Sequence, residues 1–98
     1  MYGSIFRMRP NPGQEQAVLE IFREWERDRK PKVKGAMDGY VYKPDNSPEE
    51  LVAVAVFSDK DTYRANAEDP AQGQWYQKLR ALLQADPSWE DGEFLIKM

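Results

Sequence analysis

The chain contains no cysteine and no histidine. The first absence removes disulfides, thiolate catalysis and cysteine-type zinc sites. The second removes the usual general base near neutral pH, the usual haem ligand and most transition-metal sites. Few conventional active sites survive both losses. Positive charge is also scarce: 14 Lys and Arg stand against 17 Asp and Glu, for a formal net charge of −3. A nucleic-acid binder would need a concentrated basic surface to neutralise phosphates. No apolar run approaches the roughly 20 residues of a membrane span, and Met1 to Arg7 lacks the basic start and apolar core of a secretory signal. The expectation is a cytoplasmic protein with no metal, no nucleic-acid partner and no membrane partner.

What is present is organised around Glu50 to Phe57, Glu-Leu-Val-Ala-Val-Ala-Val-Phe, closed by the polar group Ser58-Asp59-Lys60-Asp61. Its length and β-branched content predict a strand, with Leu51, Ala53, Ala55 and Phe57 on one face and Val52, Val54 and Val56 on the other. A strand apolar on both faces needs cover on both. A single domain over residues 1–98 buries only roughly 60 to 65% of its unfolded surface, so a second copy of the chain is the expected cover for one face.

The other elements follow in order. Tyr2 to Arg9 reads as a strand with Tyr2, Ser4, Phe6 and Met8 on one face. Asn11 is the expected cap and Pro12 the first residue of a helix running to Arg29 or Lys30, with Val18, Ile21, Phe22 and Trp25 as its apolar stripe. Arg29 to Lys34 is the one basic cluster, either an anion site or a solvated helix end. A second strand spans Ala36 to Lys43, placing Ala36, Tyr40 and Tyr42 together and marking Gly39 as a bulge or a close approach. After the central strand a short helix, capped by Asp59 or Asp61, runs to Ala67, and a third covers Pro70 to Gln84 with Trp75, Leu79, Leu82 and Leu83 inward. A last strand spans Glu90 to Lys97, with Phe94 and Ile96 opposite Leu95. This β-α-β-β-α-α-β order predicts the α+β ferredoxin-like split βαβ plan: a four-stranded antiparallel sheet with helices on one face, strands one and three in the middle.

The opening strand with Pro12-Gly13, the hairpin into Val52 to Phe57, Asp59 through Tyr63-Arg64-Ala65-Asn66, Pro70, and the Trp75-Tyr76 helix together resemble the dimeric α+β barrel proteins of the antibiotic biosynthesis monooxygenase type. The resemblance implies a homodimer with its sheets face to face and a cavity between sheet and helices for a small hydrophobic aromatic ligand. It also implies oxygenation of phenols or quinols without metal or flavin, and in one branch haem degradation. Many members carry a histidine in the short helix where this chain has Asn66, and a chain without histidine cannot bind haem through one. On this reading Asn66 hydrogen-bonds a phenolate, keto oxygen or peroxide, and Arg64 or Arg7 stabilises negative charge. Tyr63, Trp75, Tyr76, Trp25, Tyr40 and Phe6 would surround the substrate, and no cofactor is required.

Each residue also has a plainer role. Asn66 can satisfy backbone near Pro70, Trp25 and Trp75 can be core, and Tyr40 and Tyr42 can serve the dimer interface. Asp38, Glu90, Asp91 and Glu93 offer a separate acid–base reading. A non-catalytic small-molecule-binding or stress-response dimer on the same scaffold stands as the alternative function.

Overall fold

A computed structural model describes residues 1–98. The strands are β1 (Tyr2–Met8), β2 (Ala36–Tyr42), β3 (Leu51–Phe57) and β4 (Ser88–Glu93), and the α-helices are α1 (Glu15–Glu24), α2 (Lys60–Glu68) and α3 (Pro70–Arg80). The sheet is antiparallel throughout in the order β2-β3-β1-β4. This is the expected ferredoxin-like plan, with the first and third strands in the centre.

Register follows from side-chain alternation. Phe6 faces Ala53 and Met8 faces Leu51 across β1 and β3, so these side chains share the face toward the helices. There they join Val18, Trp75, Leu79 and Leu83 in one core, in which Val18 and Leu79 are completely buried. Full burial of one such aliphatic side chain is worth about 1.5 to 3 kcal/mol.

The helix boundaries depart from the periodicity in four places. Pro12 and Gly13 form a turn in which Gln14 N–H donates to Asn11 C=O (2.9 Å) and Gly13 takes φ +80°, so α1 starts at Glu15 and Asn11 does not cap it. Trp25–Arg29 winds as a π-helix, in which Lys30 N–H reaches back to Trp25 C=O, and Lys30–Lys32 as a 3-10 turn. Where it begins, the Trp75 indole N–H donates to Ile21 C=O at 2.9 Å, and Trp25 N–H is shared between the carbonyls of Ile21 and Phe22; a side chain inserted beside the backbone ladder is a standard origin of such a bulge. Asp59 does cap α2, accepting from Thr62 N–H at 2.8 Å. Helix α3 stops at Arg80, short of the expected Gln84, because Leu82 C=O and Gln84 N–H are bonded to the chain leaving β1, at Asn11 and Arg9.

Two strand expectations also change. The bulge in β2 lies between Ala36 and Asp38 and not at Gly39, and it turns Ala36 to the helix side while Tyr40 and Tyr42 point away. Strand β4 begins at Ser88 and ends at Glu93. Phe94 N–H adds a bond to Met1 C=O beyond the paired residues. Leu95 and Ile96 therefore lie beyond the sheet, strongly exposed. The Phe94 ring sits where a Cβ on Gly3 would meet it at 3.1 Å, and Lys97 reaches Asp38 at 3.4 Å. The C-terminal segment thus crosses the sheet face opposite the helices.

That face is sheltered more than composition suggested. Val52 is 1% and Val56 9% exposed within one chain, while Val54 is half-buried and Ile5, Tyr40 and Tyr42 remain open to solvent.

Candidate functional site

A hollow of about 600 Å3 lies between sheet and helices. Its origin is a patch of small residues on the helix side of the sheet. Ser4 and Gly39 both pair with Ala55, and Ala53 sits one alternation along, so the centre of the sheet projects little into the space below the helices. Ser4 is 2% exposed. Large aromatics wall the rest. Phe6 stacks on Trp89 at 4.2 Å, Phe22 meets Trp75 edge to face at 5.5 Å, Trp25 meets Trp75 at 6.4 Å, and Tyr76 lies 6.1 Å from Trp89. An apolar slot with few polar groups is the usual form of a small-molecule site.

The polar groups gather where the π-turn faces α2 and α3. Gln72 Oε1 accepts from Trp25 Nε1 at 2.8 Å and from Arg29 Nε at 3.2 Å, and Asn66 Oδ1 accepts from Arg29 Nη2 at 2.9 Å. Asp69 stands 3.8 Å from the same guanidinium, whose side chain is only 16% exposed. Asn66 and Gln72 both line the hollow, as does Lys30, which makes no ion pair. The Asn66 side chain is thus committed to Arg29 and not to local backbone.

Tyr63 enters from α2, its ring edge-on to Tyr2 and Phe57 and its hydroxyl donating to Asp91 Oδ1 at 2.9 Å. Burial, together with the negative charge of Asp91, pushes its pKa up to about 12. Tyr63 is therefore a neutral hydroxyl at any ordinary pH, a donor and not an anionic base. Burial likewise pushes the Tyr76 hydroxyl up.

The fold brings Asn66, Tyr63, Trp75, Tyr76, Trp25 and Phe6 together around one space. It does not bring Arg64, which is exposed and does not line the hollow, nor Arg7, whose guanidinium lies 3.9 Å from Glu50 at the far face of the sheet. Tyr40 borders the hollow as part of β2, but its side chain alternates to the open face and is 62% exposed. Gln72, Phe22 and Trp89 belong to the site and were not anticipated, and Arg29, read from sequence as part of either an anion site or a solvated helix end, is turned inward onto its amides. Trp89 could have been found had the last strand been started two residues earlier, opposite Phe6. No group of His, Cys, Asp or Glu side chains is arranged to hold a metal ion, and no helix is long and apolar enough to cross a membrane.

A family model described as antibiotic biosynthesis monooxygenase matches residues 1–78. No curated protein matches the sequence. Among solved structures, a crystal structure of an antibiotic biosynthesis monooxygenase superposes with TM-score 0.75 at 14% identity, covering 98% of this chain and 100% of that one. A Mycobacterium tuberculosis protein gives TM-score 0.80 at 14% identity, covering 98% and 96%. A conserved protein from Methanosarcina mazei Go1 gives TM-score 0.80 at 14% identity, covering 93% and 89%. At these identities the structural likeness establishes the fold alone.

Proposed function

The chain belongs to the antibiotic biosynthesis monooxygenase family, and from that premise we propose that it binds a small aromatic phenol or quinol between sheet and helices and oxygenates it with dioxygen, without a cofactor. The observation that carries the reading is the aromatic-walled hollow of about 600 Å3, bordered by the amides of Asn66 and Gln72. A flat ring system fits between such walls, and its oxygen substituent would meet the amides.

The chemistry asks little of the protein. An electron-rich substrate anion reduces dioxygen directly: one oxygen atom forms the new C–O bond and becomes the product's carbonyl. The other leaves as water with the hydrogen lost from that carbon and the proton taken from solvent. The chain's part is to hold the deprotonated ring, stabilise its charge and keep bulk water out. Asn66 is proposed as a hydrogen-bond donor to the substrate or to bound peroxide, and Arg64 has no part in this arrangement. The open sheet face bearing Ile5, Val54, Tyr40 and Tyr42 is proposed as the surface through which two copies of the chain associate.

One observation favours a second reading, binding without turnover. No group with an ordinary pKa near neutrality lines the hollow, and Tyr63 is shifted further from it. A panel of naphthoquinols and anthrones, followed by oxygen uptake and by thermal denaturation, separates the readings. Protein-dependent uptake supports oxygenation; a raised melting temperature without uptake supports a binding protein. Neither effect across the panel would refute the assignment of this hollow to aromatic ligands.

A further inference from the structure

We infer that Gln72 is a second ligand-facing donor beside Asn66, and that Trp25 and Arg29 aim both amides so that the site selects the ionised form of a phenol over the neutral one. The inference rests on the aromatic-ligand reading above and adds the chemical state of what is bound.

The direction of both amides is fixed by chemistry. An indole N–H and a guanidinium can only donate. Gln72 Oε1 takes two such donors, from Trp25 and Arg29, and Asn66 Oδ1 takes a third, also from Arg29. Turning either amide over would set its NH2 against another N–H. Each NH2 is therefore directed away from the guanidinium, and neither has a partner within the protein. Neither is sealed in the interior, since no buried side-chain nitrogen or oxygen lacks a partner. The space they share is the hollow, which both residues line.

The guanidinium does more than orient. Accepting a charge-assisted bond draws electron density toward each carbonyl oxygen and makes the opposite N–H groups stronger donors. Two polarised NH2 groups then act as a preorganised cradle for an oxygen anion, with Lys30 as the one cation on the lining without an ion-pair partner. Arg23, the other lining cation, is engaged by Glu20 at 3.3 Å. One lining carboxylate, Glu26, opposes a bound anion; Asp38 borders the hollow through β2 but its side chain alternates to the opposite face. Asp38 is itself 3.4 Å from Lys97. The aromatic walls restrict the anion to one carried on an apolar ring system. Arg29 and Trp25 are positioning residues here, since they act through the amides.

The arrangement sits on the π-turn: Trp25 and Arg29 open and close the five-residue segment, and both reach Gln72 Oε1.

The test uses para-nitrophenol, whose neutral and ionised forms absorb differently, and para-nitroanisole, which cannot ionise. Wild-type protein is expected to bind the phenolate roughly tenfold more tightly than the phenol, a fall of about one unit in the bound probe's pKa. Gln72→Glu and Asn66→Asp keep an accepting oxygen for Arg29 but replace the NH2 with a second acceptor. Each is expected to abolish the phenolate preference, read as the ratio of phenolate to phenol affinity in the same variant. Binding of both probes with no fall in pKa in the wild type, a measurement that needs no variant, overturns the amide cradle alone. Unchanged preference in two folded variants does the same. Binding of neither probe overturns the aromatic-ligand reading and the cradle with it.

Discussion

Replacing Trp75 with Phe tests the link between the core and the site. The substitution keeps an aromatic ring against Phe22 and Trp25 but removes the indole N–H that holds Ile21 C=O at 2.9 Å. Ile21 C=O retains its share of Trp25 N–H, so no buried acceptor is orphaned and the loss is that of one ordinary bond, about 0.5 to 1.5 kcal/mol. The smaller ring gives up roughly 40 Å2 of apolar contact, about 1 kcal/mol. The sum is about 2 kcal/mol, or a fall of roughly 8 to 16 °C in melting temperature for a domain this size. Urea denaturation followed by far-UV circular dichroism measures it without relying on tryptophan emission. The same variant should let Trp25–Arg29 relax toward regular α-helix, which a crystal structure would show, and should weaken the anion preference of the site. A loss below about 0.5 kcal/mol with the π-turn intact would refute the claim that this indole shapes the helix.

Leu79→Ala empties a completely buried position and is expected to cost about 2 to 5 kcal/mol in the same denaturation assay. Gly3→Ala should cost about 1 to 3 kcal/mol, because its new methyl group collides with the Ala55 carbonyl oxygen of the neighbouring central strand. The raised pKa of Tyr63 makes the native state hold its proton longer than the unfolded chain does. Its contribution to stability is thus complete below pH 10 and is lost as pH rises through about 12. Tyr63→Phe should flatten that alkaline decline. If two copies associate through the open sheet face as proposed, the wild type sediments as a dimer and Tyr40→Glu as a monomer with an unchanged circular dichroism spectrum. A monomeric wild type would refute the association, and a dimer unaltered by the substitution would move the interface elsewhere.

The sheet was legible in the sequence because its signals are local and strong. A seven-residue apolar run, the Pro-Asp-Asn-Ser-Pro turn ahead of it and the Asp59 cap each act within a few residues, and the order of elements then leaves few topologies. Of the misplaced boundaries, the start of α1 is set by the local Pro12-Gly13 turn, whereas the end of α3 arises from contacts distant in sequence. Helix α3 ends early because Leu82 and Gln84 bond the chain leaving β1. The two-faced character of β3 was read correctly from its valines. What composition could not show was that the Phe94 ring lies over Gly3 and Lys97 reaches Asp38, so the chain shelters part of the second face itself.

The candidate site divides along the same line. Its apolar half was readable: Phe6, Trp75 and Tyr76 fall on the inward stripe of their elements, and a sheet face carrying Ser4, Gly39, Ala53 and Ala55 implies unfilled space beneath it. Its polar half was not, because a 3.6-residue period assumes the helix stays regular, and the brace exists only where it does not. Read as α-helix, Arg29 belongs to a solvated basic end. Wound as a π-turn, it is pulled inward to 16% side-chain exposure and tied to two amides from α2 and α3. The orientation of Asn66 follows from the same neighbour. Beside a permanently charged guanidinium that can only donate, an amide accepts with its oxygen and turns its NH2 outward. The direction of the amide and the winding of the helix end are thus two parts of one arrangement, and Arg29 is the residue that joins them.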